Sequence, residues 1–162
     1  MSNTAKKHIR LLKPPTITNK RASFEYSLLD KYVAGLALTG TEIKSIRGGK
    51  VNIQQAYCVF AHQELFVRDM HIGHYAFGNL HNHNETRVRK LLLHRRELDK
   101  LMKSKQKGLT IIPIQLFVNP AGLAKLEIAL ARGKKLYDKR QSIKEKDLQR
   151  EAARQYRHRA LG

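Results

Sequence analysis

Acidic residues are scarce. Asp and Glu together number 13 against 32 Lys and Arg, giving a formal net charge of +19. A solvated surface does not require that imbalance. It suits a partner dense in phosphate, because each Lys or Arg that meets a phosphate releases condensed counterions. Cysteine is reduced to Cys58, which excludes an intrachain disulfide and fits a reducing, cytoplasmic setting. No apolar run approaches the ~20 residues of a spanning helix, so no membrane partner is expected. The basic N-terminus has no apolar core of the kind a signal peptide carries.

The usual catalytic signatures are missing too. There is no G-x-x-x-x-G-K-[ST] loop, and Gly48-Gly49-Lys50 is too short to stand for one. No G-x-S-x-G elbow occurs. Most of the few carboxylates stand beside a basic residue. His71-x-x-His74 and His81-x-His83 lack the further donors that zinc needs. Cys58, in the middle of a strand-like run, reads as a small hydrophobe. No catalytic residue, metal or cofactor is assigned, and the chain is not expected to be an enzyme.

Most of what is present alternates. Residues 1–18, with Pro14-Pro15 and Lys6, Lys7, Arg10 and Lys13, have no period and read as a flexible basic arm. Phe24, Tyr26 and Leu28 alternate with polar residues, so a strand is expected from Ala22. Tyr32–Leu38 reads as a second strand, bent or bulged at Gly35. Thr39-Gly-Thr-Glu42 has the capping-box spacing, and Gly48-Gly49 can end a helix, so 40–48 is a short helix. Glu42, Lys44 and Arg47 fall largely off its buried stripe. Residues 53–60 and 65–72 form a hairpin. The Gly-, Asn- and His-rich run 73–86 is a long loop of the kind often tied to function.

Leu91, Leu98, Leu101 and Met102 mark a helical stripe over 91–106. Ile112, Ile114, Leu116 and Val118 alternate again, with Pro113 pointing to an edge or bulge. Leu126, Ile128 and Leu130 form the return strand. About six strands and two to three helices with no βαβ rhythm make a mainly β, α+β fold. A small antiparallel OB-type barrel is the expected architecture. The body spans 19–132. Residues 133–162 carry ten basic and four acidic side chains and no strong apolar stripe. They read as a tail that is disordered when free and helical on a partner. Tyr75, Phe77, Tyr137 and Tyr156 lie outside the alternation and are the stacking candidates.

Six segments then coincide in order: Asn19–Ala22, Glu25-Tyr26, Ala34–Leu38, Gly40–Arg47, Arg89–His94 with Glu97-Leu98, and Gly133–Arg140. Together they resemble the SsrA-binding protein family, SmpB. The resemblance implies a bacterial cytoplasmic adaptor with an OB-type barrel that binds the tRNA-like domain of transfer-messenger RNA (tmRNA) for trans-translation. It implies tRNA mimicry, with the tail entering the decoding site and empty message channel of the small subunit. Its implied partners are tmRNA, ribosomal RNA and, indirectly, elongation factor Tu with aminoacylated tmRNA, and a monomer is expected.

By position, the family's tmRNA-facing residues fall on Asn19, Lys20, Glu42, Lys44, Arg47, Lys90 and Leu92. Lys50 joins them from its place beside the helix. The decoding-site elements fall on Gly133, Lys134, Lys135, Tyr137, Asp138, Lys139 and Arg140. Many members carry an acid where this chain has Val33, Asp-Pro where it has Asn84-Glu85, and His where it has Tyr137. The alternatives are a permanent ribosomal or general rRNA-binding protein, and an RNA-processing enzyme.

Overall fold

The computed structural model describes residues 14–105 and 108–160. Lys6, Lys7, Arg10 and Lys13 of the expected N-terminal arm lie outside them. The strands are β1 (Ile17–Thr18), β2 (Tyr26–Leu36), β3 (Val51–Asn52), β4 (Tyr57–Ala61), β5 (Glu64–Arg68), β6 (His71–Ile72), β7 (Arg89–Leu92), β8 (Thr110–Val118) and β9 (Ala124–Gly133). The helices are α1 (Ala22–Glu25), α2 (Gly40–Arg47), α3 (Arg95–Lys105) and α4 (Leu136–Ala160).

Six strands close on themselves by antiparallel pairing in the order β8-β4-β5-β7-β2-β9 and back to β8. The mainly β architecture is as expected, with short accessory strands raising the strand count. β1 pairs along β8, and β3 pairs with β6 in a separate two-stranded sheet. Inward residues alternate along the ring, so Ala34, Cys58, Leu65, Val67, Leu91, Leu116, Leu126 and Ile128 share one core with Ile46 of α2 and Leu101 of α3. Each fully buried Leu or Ile contributes about 1.5–3 kcal/mol. Burial pushes the Cys58 thiol well above its ordinary pKa, so it packs as a neutral apolar group.

Four local expectations are corrected. Ala22–Glu25 is a helical turn, not the start of a strand. The Asn19 Oδ1 accepts the N–H groups of Arg21 and Ala22 at 3.2 and 3.3 Å, and Arg21 pairs with Glu25 at 2.6 Å. That capping chemistry overrides the alternation of Phe24 and Tyr26. α1 covers the outer face of the ring with Ala22 against Ile112 and Ala131. This is why β9 becomes buried on both faces from Ile128 to Ala131.

The two strands expected within 26–38 are a single β2. Its register shift lies between Leu28 and Lys31 and not at Gly35. Gly35 instead sits where a Cβ would come 3.3 Å from that of Leu92, its partner on β7. Finally, 91–106 is not one helix. Leu91 is an inward residue of β7, and α3 begins only after His94, whose N–H is accepted by Glu97 at 3.1 Å. The spacing from Leu91 to Leu98 is coincidental, because both residues face the same core from different elements.

Two further features, the bulge near Pro113 and the hairpin, agree with expectation. The bulge expected at Pro113 lies between Pro113 and Gln115 against β9. Tyr57–Ala61 and Glu64–Arg68 form the hairpin. Its two-residue turn puts His62 and Gln63 at φ 48° and 63°, a left-handed geometry that neither favours. α4 is continuous over its 25 residues, about 37 Å at 1.5 Å per residue. Among the described residues, no helix is long and apolar enough to cross a membrane.

Candidate nucleic-acid interface

The site is built on α2. Glu42 closes the capping box by accepting the Thr39 N–H at 2.8 Å. Glu42, Ser45 and Ile46 form the buried face, while Lys44 and Arg47 point to solvent. Gly49, at φ +75°, turns the chain out of the helix, and Lys50 follows, exposed. Lys44 and Arg47 on the helix and Lys50 just beyond it are therefore three exposed cations at spacing three around one short element.

Glu42, expected off the buried stripe, is instead fully buried, as is Arg89. Its Oε1 accepts Arg89 Nε at 2.8 Å and Arg87 Nε at 3.2 Å, and its Oε2 accepts Arg87 Nη2 at 2.7 Å. Burial raises the carboxyl's pKa, but the bonds from Arg87, the Thr39 N–H and Arg89 outweigh it and hold the pKa at about 2. Burial also lowers the Arg89 pKa, with Glu42 opposing. The rest of the Arg89 guanidinium donates to the carbonyls of Met70 at 2.7 Å, Arg87 at 2.9 Å, Glu85 at 3.1 Å and Asn84 at 3.4 Å. Every lone pair of the carboxylate faces a donor within the protein, so Glu42 anchors α2 to Arg87 and Arg89.

Asn19 has a similar setting. It is buried, and its Nδ2 donates to Pro113 O at 3.0 Å and Ile53 O at 3.4 Å while its Oδ1 caps α1. It ties α1, β8 and the chain before β4 together. Lys20, beside it, is exposed.

Arg47 Nη2 donates to Gly122 O at 3.0 Å in the β8–β9 turn. Gly35, Leu38, Ile43, Leu92, Leu123 and Lys125 line a groove of about 380 Å³ beside it. The structure thus brings Arg47 and Leu92 to one depression with apolar walls and a cationic rim. Lys44 turns the other way, its Nζ 5.3 Å from the Tyr75 ring centroid. Lys90 shares the outward face of β7 with Leu92, but its ammonium is ion-paired with Glu64. Lys20 does not line the groove. Val33 is exposed opposite Glu127 on β9, a carboxylate Lys31 approaches at 3.9 Å.

The tail leaves β9 at Gly133. Its φ is not left-handed, and a Cβ there would meet no atom within 4 Å. Lys134 is turned inward. Its N–H donates to Glu25 O at 2.9 Å, and its Nζ donates to Ser23 O at 2.9 Å and Ser142 Oγ at 3.0 Å. It joins the end of α1 to the first turns of α4. Lys146 adds a contact, 6.0 Å over the Phe24 ring. Lys135, Tyr137 and Arg140 are exposed, while Asp138 and Lys139 are half-buried.

Sequence reasoning misses Arg87, Arg89 and Glu64 as parts of the site. The signal for Arg89 is a charge at an inward position, two residues before Leu91 in the same strand. A buried Arg of that kind needs a buried acid, and Glu42 is the candidate to pair with it.

The SmpB protein family model matches residues 16–158. An SsrA-binding protein of Phocaeicola vulgatus is 54% identical over 145 residues, covering 89% of this chain and 97% of that protein. One from Cytophaga hutchinsonii is 56% identical, covering 89% and 95%. One from Moorella thermoacetica is 49% identical, covering 87% and 92%. A solved structure described as "tmRNA-SmpB: a journey to the center of the bacterial ribosome" is similar with a TM-score of 0.63 at 44% identity. It covers 75% of this chain and 86% of its own.

Proposed function

The chain belongs to the SmpB protein family, and from that premise we propose that it binds the tRNA-like domain of tmRNA and delivers it to stalled ribosomes. It is an RNA-binding adaptor of trans-translation and not an enzyme. The observation that carries this is a family match running from β1 through most of α4, over the body and tail together.

The geometry supports a division of labour among the matched residues. Lys44, Arg47 and Lys50 supply phosphate contacts from the exposed side of α2, and Lys20 adds one from the turn before α1. Leu92 and the groove walls offer an apolar seat for a ribose or base. Glu42 and Asn19 set the shape of this surface from behind. Lys90 joins only by exchanging Glu64 for a phosphate.

The second RNA surface is α4. Lys135, Tyr137, Lys139 and Arg140, with Asp138 and the Gly133-Lys134 junction, face the decoding site. The remainder follows the empty message channel. Tail order depends on that partner, since the main contact of α4 with the body among the described residues is with the four-residue α1. The protein acts as a monomer in the bacterial cytoplasm, and elongation factor Tu joins through the aminoacylated tmRNA.

The test is affinity for a tRNA-like tmRNA fragment against ordinary tRNA over a range of salt. A preference that persists near physiological salt is expected. Equal affinities falling together would reduce the binding to nonspecific charge. Lys44→Ala with Arg47→Ala should lower the salt slope by about 2. Removal of residues 134–162 should spare fragment binding and abolish tagging.

A further inference from the structure

The loop between β6 and β7 has no role in that reading, yet it is unusually well fixed. At its start the Gly73 N–H donates to Lys50 O at 2.8 Å, tying it to the end of α2. His83 bridges Ile72 O and the Thr41 hydroxyl, each at 2.9 Å. Asn82 accepts the Tyr75 N–H at 3.0 Å and donates to Tyr75 O at 2.9 Å, closing the tip like a strand pair. A Cβ at Gly78 would lie 2.7 Å from Asn82 Nδ2, so the closure requires glycine there. The buried Arg89 holds the returning carbonyls of Asn84 and Glu85.

What this frame presents is apolar. Phe77 is 81% exposed and Leu80 is 97% exposed. Phe77 meets Tyr75 edge-to-face, with centroids 5.6 Å apart, and Lys44 lies over the other ring of that pair. Glu85 is the one acid of the loop. It accepts from His71 at 3.2 Å and lies 3.9 Å from His74. The tip is therefore a fixed aromatic platform with cations beside it and its carboxylate already paired. That combination suits a base with its phosphate, because stacking and charge neutralisation act on adjacent parts of one nucleotide.

We propose that Phe77 stacks on an unpaired base of the tRNA-like domain of tmRNA, with Leu80 packed beside it and Lys44 on the adjoining phosphate. The proposal rests on the tmRNA-binding reading above. It makes the 73–86 loop a contact continuous with α2.

The chain has no tryptophan, so Phe77→Trp places a sole indole at the contact. Because the position is exposed, neither this change nor Phe77→Ala should disturb folding. With the tRNA-like fragment, Phe77→Ala should bind about 5- to 150-fold more weakly at an unchanged salt slope. Phe77→Trp should keep the parent affinity and lose fluorescence along the binding isotherm. A parent chain that binds the fragment, together with a full-affinity Phe77→Ala and an unquenched Phe77→Trp, overturns this contact and spares the function. Quenching only by small ribosomal subunits also overturns it, by assigning the base to ribosomal RNA. A parent chain that fails to bind the fragment overturns both.

Discussion

Replacing Glu42 with Ala removes one carboxylate and strands two guanidinium groups. Arg89 is fully buried, and Glu42 is its only ion-pair partner among the described residues. Leaving a buried charge without its partner costs about 3–5 kcal/mol. Total stability of a domain this size is about 5–15 kcal/mol, so the loss is a large share of it. With a urea m-value of about 2 kcal/mol/M, the unfolding midpoint should fall by about 2 M. The assay is equilibrium urea unfolding of the full chain, followed by fragment binding under conditions where the variant stays folded. Binding should weaken and its salt slope should shrink, because Glu42 places Lys44 and Arg47 against their phosphates. Glu42→Ala combined with Arg89→Met should be less destabilised than the sum of the two single changes, by more than about 1 kcal/mol. A loss below about 1 kcal/mol for Glu42→Ala, or strict additivity of the pair, would refute the buried-pair account.

The same carboxylate sets an acid limb. Its folded pKa of about 2 lies below its ordinary 4.5, so its contribution of about 3 kcal/mol is complete above pH 4.5 and is lost as pH falls toward 2. Urea midpoints measured across that window should decline, and the decline should be smaller in Glu42→Gln. Gln63→Gly relieves a left-handed φ of 63° in the β4–β5 turn and should stabilise the fold by about 1 kcal/mol, read as a raised thermal midpoint. Lys134→Ala removes the bonds to Ser23 O and Ser142 Oγ, so amide exchange over the first turns of α4 should quicken while the ring strands keep their protection.

How much of this is legible in the sequence depends on the range of the interaction. α2 is readable because its capping box, apolar spacing and terminal glycines all lie within eleven residues, and the strands that alternate cleanly face solvent on one side. Ala22–Glu25 is misread because the deciding group, the side chain of Asn19, also answers to Pro113 O, 94 residues away. Leu91 is misread because a strand and a helix that meet at one core can mimic a single periodic stripe. Among the site residues, the exposed Lys44 and Arg47 follow from position on α2 alone, and Lys50 from its place just past the helix end. The burial of Glu42 does not, because only folding brings the strand bearing Arg87 and Arg89 beneath it. The inward turn of Lys134 is equally hidden, since its acceptor lies 111 residues earlier.

The closed ring also fixes an order of events during synthesis. Its widest seam joins Tyr26 to Gly133, residues 107 apart (133 minus 26), and β9 is the strand that shuts it. Until β9 is made, β2 lacks its longest partner and β8 lacks its return strand. The growing chain therefore carries open β edges for most of its own translation, and long-range pairing of this kind is slow to form. A nascent chain released early, from a message broken before the codons for β9, would hold two unsealed strands. The messages this protein serves to clear would, in its own case, yield a product unable to close.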